Sequence, residues 1–258
     1  MKLFGRYSWH DLGRLFITGC RRFPIVLLFL LIETINAIVL NHNSESFSER
    51  TRFLMVFYPI TAALLSLALQ LWSEEVSKNK KNIIVQVIAH AILLCICLWF
   101  TSSWPLDIVG GMAFTAIVTV LVLAVFMISF FRSKNDLPLW NFTMRLLKGI
   151  MIALVVSIVL SLGLTLLIVS FKELFGWDID WRTRADIYYI CGLLIAPTVF
   201  LQFIPNGEEK HNESASGLPK ALQGVVHYLF VPLLFAYILT LYAYACKISC
   251  FGRWILYH

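Results

Sequence analysis

Charged residues are scarce in this sequence. Asp, Glu, Lys and Arg together make up 14% of the 258 residues, whereas 59% are hydrophobic. Several uninterrupted apolar stretches reach the ~20 residues that a helix needs to cross the hydrocarbon core of a bilayer. The composition therefore excludes a soluble protein, and it predicts an all-α, polytopic bundle of transmembrane helices.

Familiar catalytic signatures are also missing. The sequence contains no His-Glu-x-x-His zinc motif, no Gly-x-x-x-x-Gly-Lys phosphate loop and no Gly-x-Ser-x-Gly nucleophile motif. No apolar stretch carries a pair of carboxylates for acid–base chemistry. We therefore predict no catalytic residue, no metal site and no cofactor, and the sequence argues against an enzyme without excluding one.

Acidic residues are outnumbered by basic ones, 15 to 21, which leaves a formal net charge of +6. In a soluble chain this surplus would suggest a nucleic-acid partner. Here the Lys and Arg residues lie between apolar stretches, where they orient the chain and contact anionic lipid headgroups. The predicted partner is the lipid bilayer and not nucleic acid, with other membrane proteins or a second copy of the chain left open.

Seven apolar stretches predict seven spans: residues 23–40, 53–72, 83–101, 108–131, 140–170, 185–204 and 222–246. The leader, residues 1–22, mixes apolar and basic side chains, which is typical of an amphipathic helix on the membrane surface or of a simple basic leader. No small-residue cleavage motif follows the first span, so we interpret it as retained. The predicted organisation is an N-terminal segment (1–22), a seven-span domain (23–246) and a C-terminal tail (247–258).

The distribution of basic residues predicts the orientation. Fourteen of the 21 Lys and Arg residues fall in the leader, between spans two and three, between Phe131 and Gly149 at the start of span five, and between spans six and seven. Basic residues collect on the cytoplasmic side. The prediction is therefore a cytoplasmic N-terminus and an external C-terminus.

The fifth span carries small residues at strict four-residue spacing. These residues lie on one face of a helix, and they would form a groove in which another backbone can approach closely. We predict that this helix is packed against its neighbours and not turned to lipid. The stripe consists of Gly149, Ala153, Ser157, Ser161 and Thr165.

Four polar residues inside the spans are candidates for a function. Glu33 lies deep in span one, with Asn36 about one turn further along. Gln86 and His90 in span three are four residues apart and share a face. They could form a proton or cation relay, or they could simply hydrogen-bond to neighbouring helices. The sequence favours the second interpretation.

Two prolines, Pro197 and Pro232, fall inside spans six and seven. Each removes a backbone donor and should bend its helix. Interrupted helices frame ion sites in transporters, whereas in a static bundle the same bends only improve packing. We find no inverted repeat across the spans, which weakens the transporter interpretation.

Several short motifs resemble one known family. These motifs are Arg22-Phe23-Pro24, Tyr58-Pro59, residues 67–72, residues 174–180, Ile204-Pro205 and Leu218-Pro219-Lys220. In these motifs the chain resembles the bacterial integral-membrane family catalogued as domain of unknown function 4153, and the likeness covers nearly its whole length.

The resemblance implies a bacterial inner-membrane protein with no assigned chemistry and no catalytic residues to transfer. Similar proteins are longer, which implies that this chain, ending at His258, is a shortened member. From residues and resemblance together we predict a structural or accessory membrane component. A small-solute or ion transporter is the alternative, and a lipid-modifying enzyme is the third hypothesis.

Overall fold

The computed structural model describes residues 21–76, 82–103, 108–128, 136–176, 180–204 and 231–255. Regular structure in these ranges is helical and contains no strand, which confirms the all-α prediction. The helices are α1 (Pro24–Asn43), α2 (Glu49–Val76), α3 (Asn82–Ser103), α4 (Ile108–Ile128), α5 (Asp136–Phe175), α6 (Trp181–Tyr189), α7 (Ala196–Leu201) and α8 (Val231–Ile255). A 3₁₀ turn (Ser44–Ser46) follows α1, and a π-helical turn (Ile190–Ile195) joins α6 to α7.

Within the described residues, five helical stretches are long and apolar enough to cross a membrane: Pro24–Ser46, Glu49–Glu74, Ile84–Ser102, Thr143–Lys172 and Trp181–Leu201. Two shorter apolar helices, Gly111–Met127 and Val231–Ala243, accompany them. Each of these seven stretches overlaps one of the seven predicted spans, and five of them have the length needed to cross a membrane. The chain is a multi-pass integral membrane protein.

Local sequence explains where several helices begin and end. Pro24 occupies the first turn of α1, where a missing N–H removes no helical hydrogen bond. Ser48 precedes α2, and its Oγ accepts from the Thr51 N–H at 3.3 Å. After α5, Gly176 adopts a left-handed φ of 73°, and its N–H bonds to the Lys172 carbonyl at 2.8 Å. These signals set the lengths of the connections.

Helix α1 lies between two groups of helices. Helix α2 packs against α3 and α4, and these three form the first group. The second group contains α5, α6, the π turn, α7 and α8, with α5 packed against α7, the π turn and α8. Helix α1 contacts α2 on one side and α6 with the π turn on the other. We call the space between these two contacts the α1 seam.

The two groups meet in a hydrophobic core near the start of α1. This cluster joins buried side chains from five helices, so it holds both groups to α1 at that end of the bundle. Its members are Phe23, Val26, Ala63, Leu67, Ala68, Leu71, Val125, Leu146, Leu201 and Ile204. A second cluster packs α5 onto α7 through Ala153, Val156, Val199 and Phe203.

Several helices extend beyond the predicted spans. Helix α1 continues to Asn43, α2 covers Glu49–Val76 and α5 covers Asp136–Phe175. The sixth and seventh spans differ as well. The sixth begins at Trp181, before the predicted residue 185, because polar residues of its first turns pair with the end of α1. The last helix continues to Ile255, past the predicted end of span seven at 246. Residues 1–20 and 222–230 of the predicted leader and seventh span lie outside the described residues.

Candidate functional site in the helix seams

Asn36 fills a gap that a proline leaves in the neighbouring helix. Pro59 lies inside α2, so it cannot donate to the carbonyl four residues earlier, which belongs to Met55. The Asn36 side-chain amide donates from Nδ2 to this carbonyl oxygen at 2.9 Å. In a hydrocarbon environment a backbone carbonyl needs such a partner. Asn36 thereby joins α1 to α2.

The polar residues of span three also bond to α2. Gln86 donates from Nε2 to Gln70 Oε1 at 3.3 Å, and His90 Nε2 lies 3.0 Å from Ser66 Oγ. The other ring nitrogen of His90, Nδ1, is buried and has no hydrogen-bond partner in the described part of the chain. The His90 ring also lies 5.0 Å from the Phe29 ring of α1. The structure therefore connects α3 to the α1–α2 pair.

Glu33 differs from the other three predicted polar residues. It is only 3% exposed, and its Oε2 has no hydrogen-bond partner among the described residues. The neighbouring Thr34 hydroxyl donates to the Leu30 carbonyl of its own helix at 2.8 Å, so it is already engaged. Asn36 is engaged as well. Glu33 is thus a buried carboxyl group whose Oε2 receives no hydrogen bond from the residues that the structure describes.

The small-residue stripe of α5 packs against α7, the π turn and α6. A Cβ added at Gly149 would lie 2.7 Å from the Cβ of Phe203, so the absent side chain permits this contact. Ala153 is 3% exposed and belongs to the α5–α7 cluster. The Ser161 hydroxyl donates to the Ile158 carbonyl, and Thr165 Oγ1 lies 3.1 Å from the Tyr188 hydroxyl of α6.

Ser157 bonds to the distorted part of span six. Its hydroxyl donates to the Cys191 carbonyl at 2.8 Å, and the same oxygen accepts the Ala196 N–H five residues ahead in the π turn. The turn directly precedes Pro197, as expected for a proline that interrupts α-helical hydrogen bonding. Pro232 lies at the second position of α8 as described, and it is exposed.

A polar junction that the sequence did not predict lies at one end of the bundle. Arg22 binds Glu74 through two hydrogen bonds, Nε to Oε1 at 2.9 Å and Nη2 to Oε2 at 2.6 Å. Its Nη1 donates to the Ile204 carbonyl at 2.6 Å. The guanidinium lies 4.8 Å from the centre of the Phe23 ring. One side chain therefore joins the start of α1, the end of α2 and the end of span six.

A second unpredicted cluster closes the opposite end. Asn41 Nδ2 donates to Asp186 Oδ1 at 2.8 Å and to the Arg182 carbonyl at 2.9 Å. His42 Nε2 lies 2.8 Å from Asp186 Oδ2, and Arg182 donates to the His42 carbonyl at 3.0 Å. Four side-chain interactions thus fix the end of α1 to the beginning of α6.

The polar side chains described above form hydrogen bonds between helices. The described residues contain no group of three or more His, Cys, Asp and Glu side chains placed to hold a metal ion. Three of the four predicted intramembrane polar residues, Asn36, Gln86 and His90, bond to the adjacent helix. Asn36 and Ser157 each donate to a backbone carbonyl of a neighbouring element. Such bonds replace water for groups inside a bilayer.

Comparison with known proteins found no match. No family model, no curated protein and no solved structure is similar to this chain at the level of a significant match.

Proposed function

We propose that this protein is a structural or accessory component of a bacterial inner membrane, with its N-terminus in the cytoplasm. The observation that carries the proposal is the hydrogen bonding of its intramembrane polar groups. Asn36, Ser157, Gln86 and His90 each bond to a neighbouring helix or turn. Polar groups used in this way hold helices together.

The two interrupted spans support the same proposal. In transporters, the carbonyls freed by broken helices coordinate a substrate or an ion. Here Asn36 bonds to the carbonyl that Pro59 leaves without a helical donor, and Ser157 bonds to the π turn beside Pro197. Both interruptions are therefore bridged by a neighbouring helix, as expected for a bundle that holds one arrangement.

Helix α1 gives the bundle further rigidity because it is tied at both ends. Arg22 attaches its start to Glu74 and to the Ile204 carbonyl, and Asn41 and His42 attach its end to α6. A hinge between the two helix groups would have to break these bonds. The arrangement favours a fixed scaffold over alternating access.

Membership of the family catalogued as domain of unknown function 4153 is part of this proposal. Three of the motifs that carry the resemblance lie together at one end of the bundle. Arg22-Phe23-Pro24 contacts Ile204, and Phe23, Leu67 and Leu71 share one core cluster.

The test is photocrosslinking of the full chain in host membranes. A photoreactive amino acid would replace one exposed residue at a time: Trp99 on α3, Met112 on α4 or Leu234 on α8, which are 63%, 67% and 64% exposed. An accessory component should give a discrete protein adduct from one of these faces. The buried Ala153 serves as the control position that should give none.

A flux measurement tests the alternative hypothesis, that the protein is a transporter. Sealed vesicles containing the wild-type chain, Glu33→Gln or no protein would be loaded with a panel of labelled solutes and ions. We expect equal rates in all three. Flux above empty vesicles that disappears in Glu33→Gln, with no crosslinked partner on any face, would reject the accessory role in favour of transport.

A further inference from the structure

Glu33 lies at the middle of α1. The helix contains 20 residues, so it is about 30 Å long and Glu33 is about 15 Å from either end. The side chain is nevertheless almost fully covered by protein, at 3% exposure. It therefore cannot extend to the membrane surface as a longer basic side chain near a helix end could.

The direction of the side chain follows from its helical neighbours. Phe29 and Asn36 contact α2, and Asn41 contacts α6. Each residue of a helix advances by about 100°, which places Glu33 about 40° from Phe29 on one side and about 80° from Asn41 on the other. Glu33 thus faces the α1 seam, between the two groups of helices.

The groups around the seam leave the carboxyl unneutralised. The elements packed against α1 carry several ionisable side chains with described positions, and α3 adds His90. They are Glu49, Arg50, Arg52, Tyr58 and Glu74 on α2, Arg182, Arg184, Asp186, Tyr188 and Tyr189 on α6, and Cys191 in the π turn. Asp186 is occupied by Asn41 and His42. None of these groups bonds to Glu33 Oε2.

A bare carboxylate in such a place is very unfavourable, because burying an ionised group without a partner costs far more than a hydrogen bond returns. The charge must be cancelled by a species small enough to enter a packed seam. A proton or an unhydrated monovalent cation meets this requirement. We propose that Glu33 is an intramembrane binding site for a proton or a small monovalent cation, located in the α1 seam. The site does not depend on the proposed accessory function, since a component that moves no solute can still respond to protonation or cation binding.

An apolar carbodiimide can report the state of this carboxyl. Dicyclohexylcarbodiimide dissolves in the bilayer and reacts with a carboxylic acid. The carboxyl proton moves to one carbodiimide nitrogen while the carboxyl oxygen adds to the central carbon. The acyl group then migrates from oxygen to nitrogen, giving a stable N-acylurea that retains every atom of the reagent. Mass spectrometry of the full chain, digested after reaction, locates the adduct.

The experiment uses the wild-type chain and Glu33→Gln in phosphatidylcholine vesicles, each checked for a single symmetric peak in gel filtration. We expect an adduct on Glu33 in acidic buffer, its loss in alkaline buffer and its absence in Glu33→Gln. Suppression by added sodium at constant pH would identify a cation site, and indifference to sodium would identify a proton site. Glu45, exposed in the 3₁₀ turn, is the control carboxyl outside the seam.

One result would overturn the proposal. If Glu33 remains unlabelled in the folded wild-type protein at every pH and without sodium, but is labelled in folded Arg52→Ala, the reagent reaches the seam and the charge of Glu33 is held by Arg52, whose Nε is buried without a partner in the described part of the chain. This result leaves the crosslinking and flux tests of the accessory role unaffected.

Discussion

The Asn36 side-chain amide donates to the main-chain oxygen of Met55 at 2.9 Å, the carbonyl that Pro59 leaves without a helical donor. Two features that look separate in the sequence, a polar residue in one span and a proline in the next, are therefore one structural unit. Because a bilayer offers no water to the freed carbonyl, the Asn36 amide supplies the hydrogen bond that this carbonyl would otherwise lack. A different contact occurs at the π turn, where Ser157 donates to the Cys191 carbonyl, an oxygen that also accepts the Ala196 N–H.

This pairing predicts that the effect of removing Asn36 depends on Pro59. In the wild-type background, Asn36→Ala should reduce the free energy of unfolding by about 1 kcal/mol, within the range of interhelical hydrogen bonds in membranes. In a Pro59→Ala background the loss should be much smaller, because the new N–H of residue 59 supplies the donor. Equilibrium unfolding of the four proteins in mixed detergent micelles gives this double-mutant cycle. Equal losses in both backgrounds would contradict the pairing.

The glycines of the membrane helices should respond to alanine according to the space around them. Gly149→Ala forces a Cβ to 2.7 Å from Phe203 Cβ, which is close to the backbone and cannot swing away. We expect destabilisation of about 1–3 kcal/mol, as for other overpacked sites. Gly163→Ala meets only the mobile end of Leu233 at 2.6 Å and should lose less. Thermal unfolding followed by gel filtration would rank the variants.

Gly111→Ala is the matched control for this series. No described heavy atom lies within 4 Å of the Cβ it would add, and the residue is exposed on α4. The substitution should leave stability unchanged or raise it slightly, since alanine is the better helix former. A loss at Gly111 as large as that at Gly149 would mean that the α5–α7 contact is not the cause.

Periodicity within one helix could be recognised from the sequence, whereas partners between helices could not. The four-residue spacing from Gly149 to Thr165 is a local property, so it identified a face that the fold places against α6, the π turn and α7. The Asn36–Met55 bond depends on the register of two helices. The Arg22–Glu74 pair joins residues 52 positions apart, and nothing in either local sequence specifies the other.

The polar residues of α6 show the same limit. Arg182 and Arg184 interrupt the apolar pattern, so the sequence predicted that span six starts at residue 185. The pairing of Arg182 and Asp186 with Asn41 and His42 lets the helix begin at Trp181. The sequence held one signal for the role of Asn36: a proline inside a helix leaves the carbonyl four residues earlier without a donor. Using this signal requires knowing that Pro59 lies within a helix and not at its start.

Arg22 should contribute to stability far more than the adjacent Arg21. Arg22→Ala removes two bonds to Glu74 and one to the Ile204 carbonyl, whereas Arg21 is exposed. Because the Arg22 and Glu74 side chains remain 18% and 33% exposed, we expect a loss of about 1–2 kcal/mol and not the larger effect of a fully buried pair. Thermal unfolding in detergent would compare Arg22→Ala, Glu74→Gln and Arg21→Ala. Similar unfolding temperatures for Arg22→Ala and Arg21→Ala would show that the junction adds nothing.

Two buried serines on α5 should separate interhelical from intrahelical bonding. Ser157 and Ser161 are 8% and 7% exposed, but Ser157 donates from α5 to the Cys191 carbonyl of the π turn, whereas Ser161 donates within its own helix. Ser157→Ala should reduce the free energy of unfolding by about 0.6 kcal/mol, and Ser161→Ala by less. The loss in Ser157→Ala is limited because the Cys191 carbonyl keeps its hydrogen bond from the Ala196 N–H. A greater loss in Ser161→Ala would reverse this assignment.

The predicted orientation can be tested at the two ends of α1. Ser46 is exposed in the 3₁₀ turn after α1, and Arg21 is exposed just before it, so the two sites lie on opposite sides of the bundle. If the basic-residue bias orients the chain, Ser46→Cys should react with a membrane-impermeant maleimide in intact spheroplasts, and Arg21→Cys should react only after the membrane is opened. The wild-type chain measures the background from its native cysteines. Labelling of Arg21→Cys alone in intact spheroplasts would invert the orientation while leaving the helix packing as described.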